Sequence, residues 1–318
     1  MLLTNTLGDG WIVPADDAAV TAAADLLRGA QIVAIPTETV YGLAADASNA
    51  DAVARVYAAK GRPDFNPLIV HVPNYEAAQQ LAVFNDLADK LATAFWPGPI
   101  TLVLPQREGA PVTRAVTAGL PTIAIRCSAH PVMQSVLAKS RLNLAAPSAN
   151  KSGGISPTRA EHVLASLGGA VPMILDGGSC EAGLESTIVA VRDNGWQILR
   201  PGPVTAEAIA KVACSQPIPH ATDKIEAPGQ LESHYAPSKP LRLDAHAAHR
   251  HEFLIGFGTI SGDYNLSADA NLAQAAAHLF DALHIADAAE CRAIAVAAIP
   301  QSGIGEAIND RLARASAR

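Results

Sequence analysis

The 318-residue chain is short of cysteine, of aromatic residues and of positive charge. Its four cysteines (Cys127, Cys180, Cys214 and Cys291) include no C-x-x-C pair and no metal-ligand spacing, which argues against a disulfide framework or a structural zinc site. Aspartate and glutamate (30) outnumber lysine and arginine (23), for a formal net charge of -7. Gripping nucleic acid by bulk electrostatics needs a concentrated cationic face, so only a local cationic pocket remains open. Aromatics make up 4% of the chain, too few to interleave with cations as a stacking platform for single strands. No apolar run reaches the length of a bilayer-crossing helix. The opening MLLTNTLGDGWIVPADD has neither a basic n-region nor a long apolar stretch. These absences lead us to expect a cytoplasmic protein with no membrane contact. There is also no G-x-x-x-x-G-K-[ST] loop, and GFGTISG (256–262) lacks the G-x-G-x-x-G spacing. A nucleotide needs some other device here.

What the chain does have is apolar mass, 49% of its residues, enough for more than one core. From residue 11 to 213, β-branched runs alternate with alanine-rich stretches. Strands are predicted at 31–36, 68–72, 100–105, 122–126, 143–148, 172–177, 186–191 and 196–202. Helices are predicted at 16–29, 49–59, 86–95, 131–139, 158–166 and 205–213. Several neighbouring strands have no helix between them, so the pattern reads as a mixed α/β sheet. Residues 214–241 carry five prolines and no periodicity, which predicts an extended linker. Beyond it, strands at 252–260 and 293–299 and helices near 268–287 and 304–316 form a second, smaller α/β unit.

Three segments offer to hold an anion. In AAKGRPDFNPLIVHV (58–72), Lys60, Arg62 and Asp64 fall within five residues. Gly61 suits a helix end, and Pro63 pushes Arg62 towards extended backbone. In extended chain, residues i and i+2 share a side, which aims Lys60 and Arg62 at one volume as a phosphate clamp. Taken alone, the same cations equally describe a helix terminus answering its macrodipole. In AAPSANKSGGISPT (145–158), backbone N–H groups with Ser148, Asn150, Ser152 and Ser156 can cradle anionic oxygens; an ordinary connection is the alternative. Ser156 is placed there as a helix cap, with Pro157 at the first helical position. In AIPTETVYGLAAD (34–46), Thr37, Glu38 and Thr39 follow a strand, where crevice ligands sit, while Tyr41 fits either the crevice or the core.

The motifs PTETVYGLAADA, KGRPDFNPLIVHV, PGPITLVL, AIRCSAHP, APSANKSGGISPT and DGGSCEAGLESTIV follow one another across residues 31–202. In that order they resemble the YrdC-like domain of the L-threonylcarbamoyladenylate synthases. APGQLESHYAPSKPL (227–241) and the α/β region after it resemble the linker and C-terminal domain of the two-domain form. Gln230 and Leu231 depart from the commoner linker pattern, which leaves the lid's detailed contacts open. The resemblance implies a twisted mixed parallel/antiparallel sheet over 11–213, a proline-rich lid at 214–241 and a small α/β domain at 242–318. It also implies a nucleotidyltransferase that joins L-threonine, bicarbonate or CO2, and ATP into threonylcarbamoyl-AMP and pyrophosphate. Mg2+ comes with the ATP, and no tightly bound cofactor is expected. The product passes to downstream threonylcarbamoyl-transferase proteins that modify the adenosine beside the tRNA anticodon, with weak or indirect tRNA contact by the chain itself.

Carried over residue by residue, Lys60, Arg62, Ser148 and Asn150 match the catalytic, phosphate-contacting set. Thr37, His71, Arg126, Ala146 and Ser186 match positions around threonine. Asp64, Thr122, Ser156, Arg200 and Tyr235 join Lys60, Arg62 and Ser148 on the ATP side, with Tyr235 closing over the nucleotide. His71 is either a proton acceptor or a hydrogen-bond donor. No metal ligand is assigned, and HAAHRH (246–251) reads as a solvated face. Two rivals stand beside this reading. One is a non-catalytic module binding double-stranded RNA or tRNA. The other is a carbamoyl-adenylating enzyme of hydrogenase maturation, which needs cysteine-rich zinc modules that four scattered cysteines do not supply.

Overall fold

A computed structural model describes residues 11–63, 65–219, 226–229 and 234–317. Asp64, Gln230 and Leu231 lie outside the described residues. The alternating runs become ten strands: β1 (Trp11–Pro14), β2 (Val33–Ile35), β3 (Gly42–Asp46), β4 (Ile69–His71), β5 (Ile100–Pro105), β6 (Thr122–Arg126), β7 (Leu144–Ala145), β8 (Met173–Asp176), β9 (Thr187–Arg192) and β10 (Gly195–Arg200). They form one sheet of order β1-β8-β2-β3-β7-β4-β6-β5-β9-β10. Parallel pairs (β1·β8, β2·β8, β4·β6, β5·β9) mix with antiparallel ones (β2·β3, β3·β7, β4·β7, β5·β6, β9·β10). The fold class expected from the missing crossover helices is the one observed.

Among the described residues, seven α-helices accompany this sheet: α1 (Asp17–Arg28), α2 (Ala50–Lys60), α3 (Tyr75–Gln79), α4 (Asp86–Phe95), α5 (Pro131–Ser140), α6 (Ala160–Leu167) and α7 (Ala206–Ala213). Most start on side-chain caps legible in the sequence: Asp16 accepts from Ala19 N, Asn49 from Ala52 N, Asn85 from Ala88 N and Thr205 from Ala208 N. Helix α6 departs from expectation. It starts at Ala160 with Arg159 as an N-cap that makes no side-chain cap bond. Ser156 does not cap it, because its buried hydroxyl is bonded to Glu185, and Pro157 O accepts from Tyr41 N at 2.8 Å. The SPT segment is drawn into the ends of the sheet instead.

Strand β3, GLAAD, is invisible to β-propensity because it has no β-branched or aromatic residue and carries Gly, Ala and Asp around a single leucine. It is nonetheless buried and paired on both sides. The smaller sheet, β11 (Leu241–Arg242), β12 (Glu252–Gly256), β13 (Tyr264–Asn265) and β14 (Ala293–Val296), runs in order β11-β14-β12-β13 and is entirely parallel. Helices α8 (Leu272–Ala288) and α9 (Gly305–Ser316) cover it. Its core includes Leu279, Phe280 and Leu283, and it takes in Val40, Ile155 and Leu184 from the loops of the large sheet. The two units therefore share an apolar seam. Among the described residues no helix is long and apolar enough to cross a membrane.

Candidate active site

Strand ends and loops of the large sheet converge on one chamber. Parallel pairing of β4 with β6 sets His71 opposite Arg126, and Ala146 N bonds to Ile69 O at 2.9 Å. The loop after β2 brings Thr37 in, while Ser186 precedes β9 and Arg200 closes β10. Thr37, His71, Arg126, Ala146, Ser148 and Ser186 thus line the chamber with Arg62, Glu185 and Arg200. Pro228, Gly229 and His234 of the linker line it too. Its volume is about 40 Å³, small against the roughly 300–1,000 Å³ of pockets that hold drug-sized ligands.

One side of the chamber is organised by Arg126, which is 4% exposed. Its Nη1 donates to Thr39 Oγ1 at 2.7 Å, Nη2 lies 2.7 Å from Glu38 Oε1, and Nε reaches Gly98 O at 3.4 Å. Glu38 also accepts from the Ser128 hydroxyl. Burial alone pushes the Glu38 carboxyl up, but the Arg126 charge and these hydrogen bonds outweigh it and hold the pKa at about 2. Thr37 Oγ1 donates to Val40 O at 2.6 Å, and Ser186 Oγ shares a hydrogen with Thr101 Oγ1 at 2.7 Å. Burial, followed by the Arg126 charge, lowers the His71 pKa to about 3. The imidazole is therefore neutral at physiological pH, and its Nδ1 has no partner among the described residues.

The other side is cationic. Lys60 ends α2, and Gly61 turns the chain in the left-handed region at φ 58°. Lys60 and Arg62 are therefore not an extended i, i+2 pair, as the sequence led us to expect. The helix end and the turn separate them, and each is anchored differently. Lys60 Nζ donates to Ser148 O at 2.6 Å and to Asn150 O, and Lys60 O accepts from Ser152 N at 2.8 Å. Arg62 turns back on its own loop, donating to Asn66 O (3.2 Å) and Pro67 O (2.9 Å). Asn150 Nδ2 donates to Lys151 O and Gly154 O, both at 2.8 Å, which fastens the 148–154 loop around the lysine. Burial lowers the Lys60 pKa well below its usual value, and the nearby Arg62 charge lowers it further. Burial likewise lowers Arg62, to about 10, and Arg200. Crowded buried cations of this kind favour an anionic ligand.

Lys60 and Asn150 of the catalytic set, and Ser156, Thr122 and Tyr235 of the ATP side, lie outside the chamber lining; Lys60 and Asn150 stand behind it, through Ser148. Ser156 is fully buried behind Glu185. Thr122 sits at the opposite end of β6 from Arg126 and lines a second cleft with Gln197, Ile218 and Glu226. Between chamber and cleft, Ala227 of the linker packs on Val103, Ala124, Ile188, Ala190 and Leu199. Tyr235 is 0% exposed, with its ring 5.6 Å from that of Phe280. A Cβ added at Gly229 would meet both Tyr235 Oη and Arg200 Cδ at 2.8 Å, so the three groups are in close contact and Gly229, at φ 86°, is required.

Sequence reasoning assigned no role to Glu185 or Arg311 and did not place Glu38 against Arg126. Glu38 and Glu185 adjoin assigned motifs without standing out from them. Arg311 carried a legible signal: in α9 it shares a helical stripe with Ala307, Ile308, Leu312 and Ala315, all buried. A charge on that face needs a buried partner.

Residues 25–202 match the family model of Sua5, YciO and YrdC, described as telomere recombination. Residues 204–317 match the model described as threonylcarbamoyl-AMP synthase, C-terminal domain. A threonylcarbamoyl-AMP synthase of Bacillus subtilis is 40% identical, over 95% of this chain and 94% of that one. Another, from Pyrococcus abyssi, is 37% identical over 92% and 93%. The solved structure of P. abyssi Sua5 complexed with L-threonine matches with a TM-score of 0.88 at 35% identity, covering 98% of each chain. The chain is an enzyme of nucleotidyltransferase type and belongs to the Sua5/YrdC family of threonylcarbamoyl-AMP synthases, in the form that carries the C-terminal domain.

Proposed function

We propose that the enzyme makes L-threonylcarbamoyl-AMP and pyrophosphate from L-threonine, bicarbonate or CO2, and ATP as its Mg2+ complex. Synthesis takes place in the cytoplasm. Downstream transferases then place the threonylcarbamoyl group on the adenosine beside the tRNA anticodon, and the chain's own contact with tRNA is weak or indirect. The observation that supports this reading is one small chamber with Arg126 on one side and the buried cations Arg62 and Arg200 on the other.

The chemistry asks for positioning more than for a nucleophile. Threonine's amine combines with CO2, and the carbamate oxygen attacks the α-phosphorus while pyrophosphate leaves. Three anionic groups must meet, so neutralising and aligning them is the main task. Arg126 has five N–H donors, and its three nitrogens each make one contact already. Donors remain for the threonine carboxylate, read as a fork. Lys60, Arg62, Arg200, Ser148 and Asn150 serve the phosphates, while Asp64, Thr122, Ser156 and Tyr235 keep their assignment to the ATP side, Thr122 from the second cleft. His71, with a pKa of about 3, serves as a neutral hydrogen-bonding group beside the threonine amine. Glu185 is the one carboxylate lining the chamber among the described residues, and Ser156 and Arg311 occupy it. No side chain of the chamber is assigned to the Mg2+, which would arrive with the ATP and help neutralise its phosphates.

Residues 227–237 act as a lid. Pro228, Gly229 and His234 close a chamber too small for a nucleotide, so ATP entry needs the linker lifted, and re-closure keeps water from the labile carbamate and anhydride. Incubating the full-length protein with ATP, L-threonine and bicarbonate, and identifying the nucleotide product by mass spectrometry, tests the function. Pyrophosphate should appear only when both threonine and bicarbonate are present. Release independent of either one overturns the reading.

A further inference from the structure

Among the contacts between the C-terminal domain and the chamber wall, one joins two buried charges, Arg311 and Glu185. Arg311 of α9 is 0% exposed, and its Nε donates to Glu185 Oε2 at 2.9 Å. Its Nη2 donates to Pro201 O at 2.8 Å, Nη1 to Asp310 Oδ2 at 2.6 Å, and its guanidinium lies 5.2 Å from the centre of the Tyr235 ring. Glu185 and Pro201 flank the open end of the β9–β10 hairpin. Ser186 stands just before β9, and Arg200 is the last residue of β10. At that end Arg200 donates to Ser186 O at 3.0 Å and to Ser186 Oγ at 3.3 Å.

Glu185 is an awkward residue in this place. It is a 5%-exposed carboxylate in the wall of a chamber whose cations await phosphates. Left without Arg311, its charge would either repel the nucleotide or draw Arg200 away from Ser186. The ion pair with Arg311 removes both outcomes.

We propose that Arg311 is a positioning residue for nucleotide binding: by neutralising Glu185 and spanning the β9–β10 end, it makes the C-terminal domain an integral part of the phosphate wall. This rests on the ATP-dependent synthesis proposed above. The titratable groups that act on Glu185 are Arg311 from α9, itself paired with Asp310, Arg200 from β10, Lys60 from α2, and His234 and Tyr235 from the linker. Among these, Arg311 supplies both a cation and a hydrogen bond to the carboxylate, which keeps Glu185 ionised despite its burial.

The test compares Arg311→Met, Arg311→Lys and the double variant Arg311→Met/Glu185→Gln in the full-length chain. Arg311→Met should raise KM for ATP about tenfold or more, since it leaves a buried charge unpaired, with a smaller change in KM for threonine. Its deficit should shrink as pH falls, because protonating the stranded Glu185 removes the repulsion. Arg311→Lys should keep ATP affinity within about threefold, since the charge remains. The double variant should recover most of the affinity lost by Arg311→Met. If Arg311→Met does not fold, the double variant decides, as no charge is left stranded in it. A deficit that is pH-independent, equal for both substrates and unrelieved by Glu185→Gln would reduce Arg311 to a packing anchor and overturn the proposal. Failure of the wild type to bind ATP would instead refute the function itself.

Discussion

Lys60 is a buried cation behind the chamber wall, tied to it through Ser148. The residue is 3% exposed, and its ammonium is held by two backbone carbonyls and depressed in pKa by burial and then by Arg62. Lys60→Met keeps the stem and removes the charge. We expect turnover to fall at least about 100-fold, equivalent to ~2.7 kcal/mol. Thermal stability should move little, because relief of a buried charge offsets two unpaired carbonyls. Pyrophosphate release and a melting curve on the same sample check this, and a near-wild-type rate removes Lys60 from phosphate handling. Selectivity belongs to this scale as well. Thr37 Oγ1 and Ser186 Oγ each have a neighbour, yet a hydroxyl oxygen can accept more than one hydrogen bond. Valine, which lacks the donor, should be at least about a hundredfold poorer than threonine in kcat/KM, while serine loses roughly 1–3 kcal/mol. Equal use of valine would mean the hydroxyl is not read there.

Close approaches between elements decide how the lid and the second domain sit. In the loop between β8 and β9, a Cβ at Gly183 would lie 2.4 Å from Ala277 Cα in α8, and the backbone is at φ 65°. Gly183→Ala should cost about 2–3 kcal/mol in denaturant unfolding. Loss of the α1 cap by Asp16→Ala should cost only about 1 kcal/mol. Comparable values for the two would show that the α8 contact yields. Tyr235 calls for care at this scale. With its ring packed between Phe280 and Arg311, Tyr235→Ala opens a cavity worth about 3–5 kcal/mol, so lost activity could not be separated from lost packing. Tyr235→Phe preserves the volume and removes only the hydroxyl that faces Arg200 and Gly229. It should melt like the wild type while kcat/KM for ATP falls about tenfold. Unchanged kinetics would confine Tyr235 to packing.

The whole molecule should be acid-sensitive. Burial holds His71, His162 and His234 at a pKa of about 3, against a usual 6.5. Their folded pKa values are depressed, so below 6.5 the unfolded chain takes up protons that the folded one refuses. Stability is therefore full above 6.5 and declines as pH falls from there towards 3. Glu38, at about 2 against 4.5, adds a loss in the same direction between those two values. The urea midpoint should drop steadily from about pH 7 to about pH 4. His162, whose ring stacks on that of His284 in α8 with centroids 3.8 Å apart, is not part of the chamber lining. His162→Gln should flatten the slope without touching catalysis. A midpoint independent of pH in this window would contradict the neutral buried histidines.

Local chemistry alone determined a good deal. Short apolar runs, most of them holding β-branched residues, marked eight of the ten large-sheet strands, and Asp16, Asn49 and Thr205 marked helix starts through their own side-chain oxygens. The motif residues Thr37, Arg62, His71, Arg126, Ser148, Ser186 and Arg200, scattered over more than half the chain, were identifiable before any fold was known. Strand β3 was not, because GLAAD has no strand propensity of its own and is held by β2 and β7 on either side. Nor was the start of α6, since Ser156 exchanges a capping bond for Glu185, 29 residues away. Thr122 and Tyr235 share the family motifs, but strand direction carries Thr122 to the far end of β6, and packing against Phe280 buries Tyr235. The partnership of Arg311 with Glu185 spans 126 residues. A sequence shows that a charge lies on an apolar stripe. Only the folded chain decides which distant carboxylate answers it, because the partner is chosen by packing between domains.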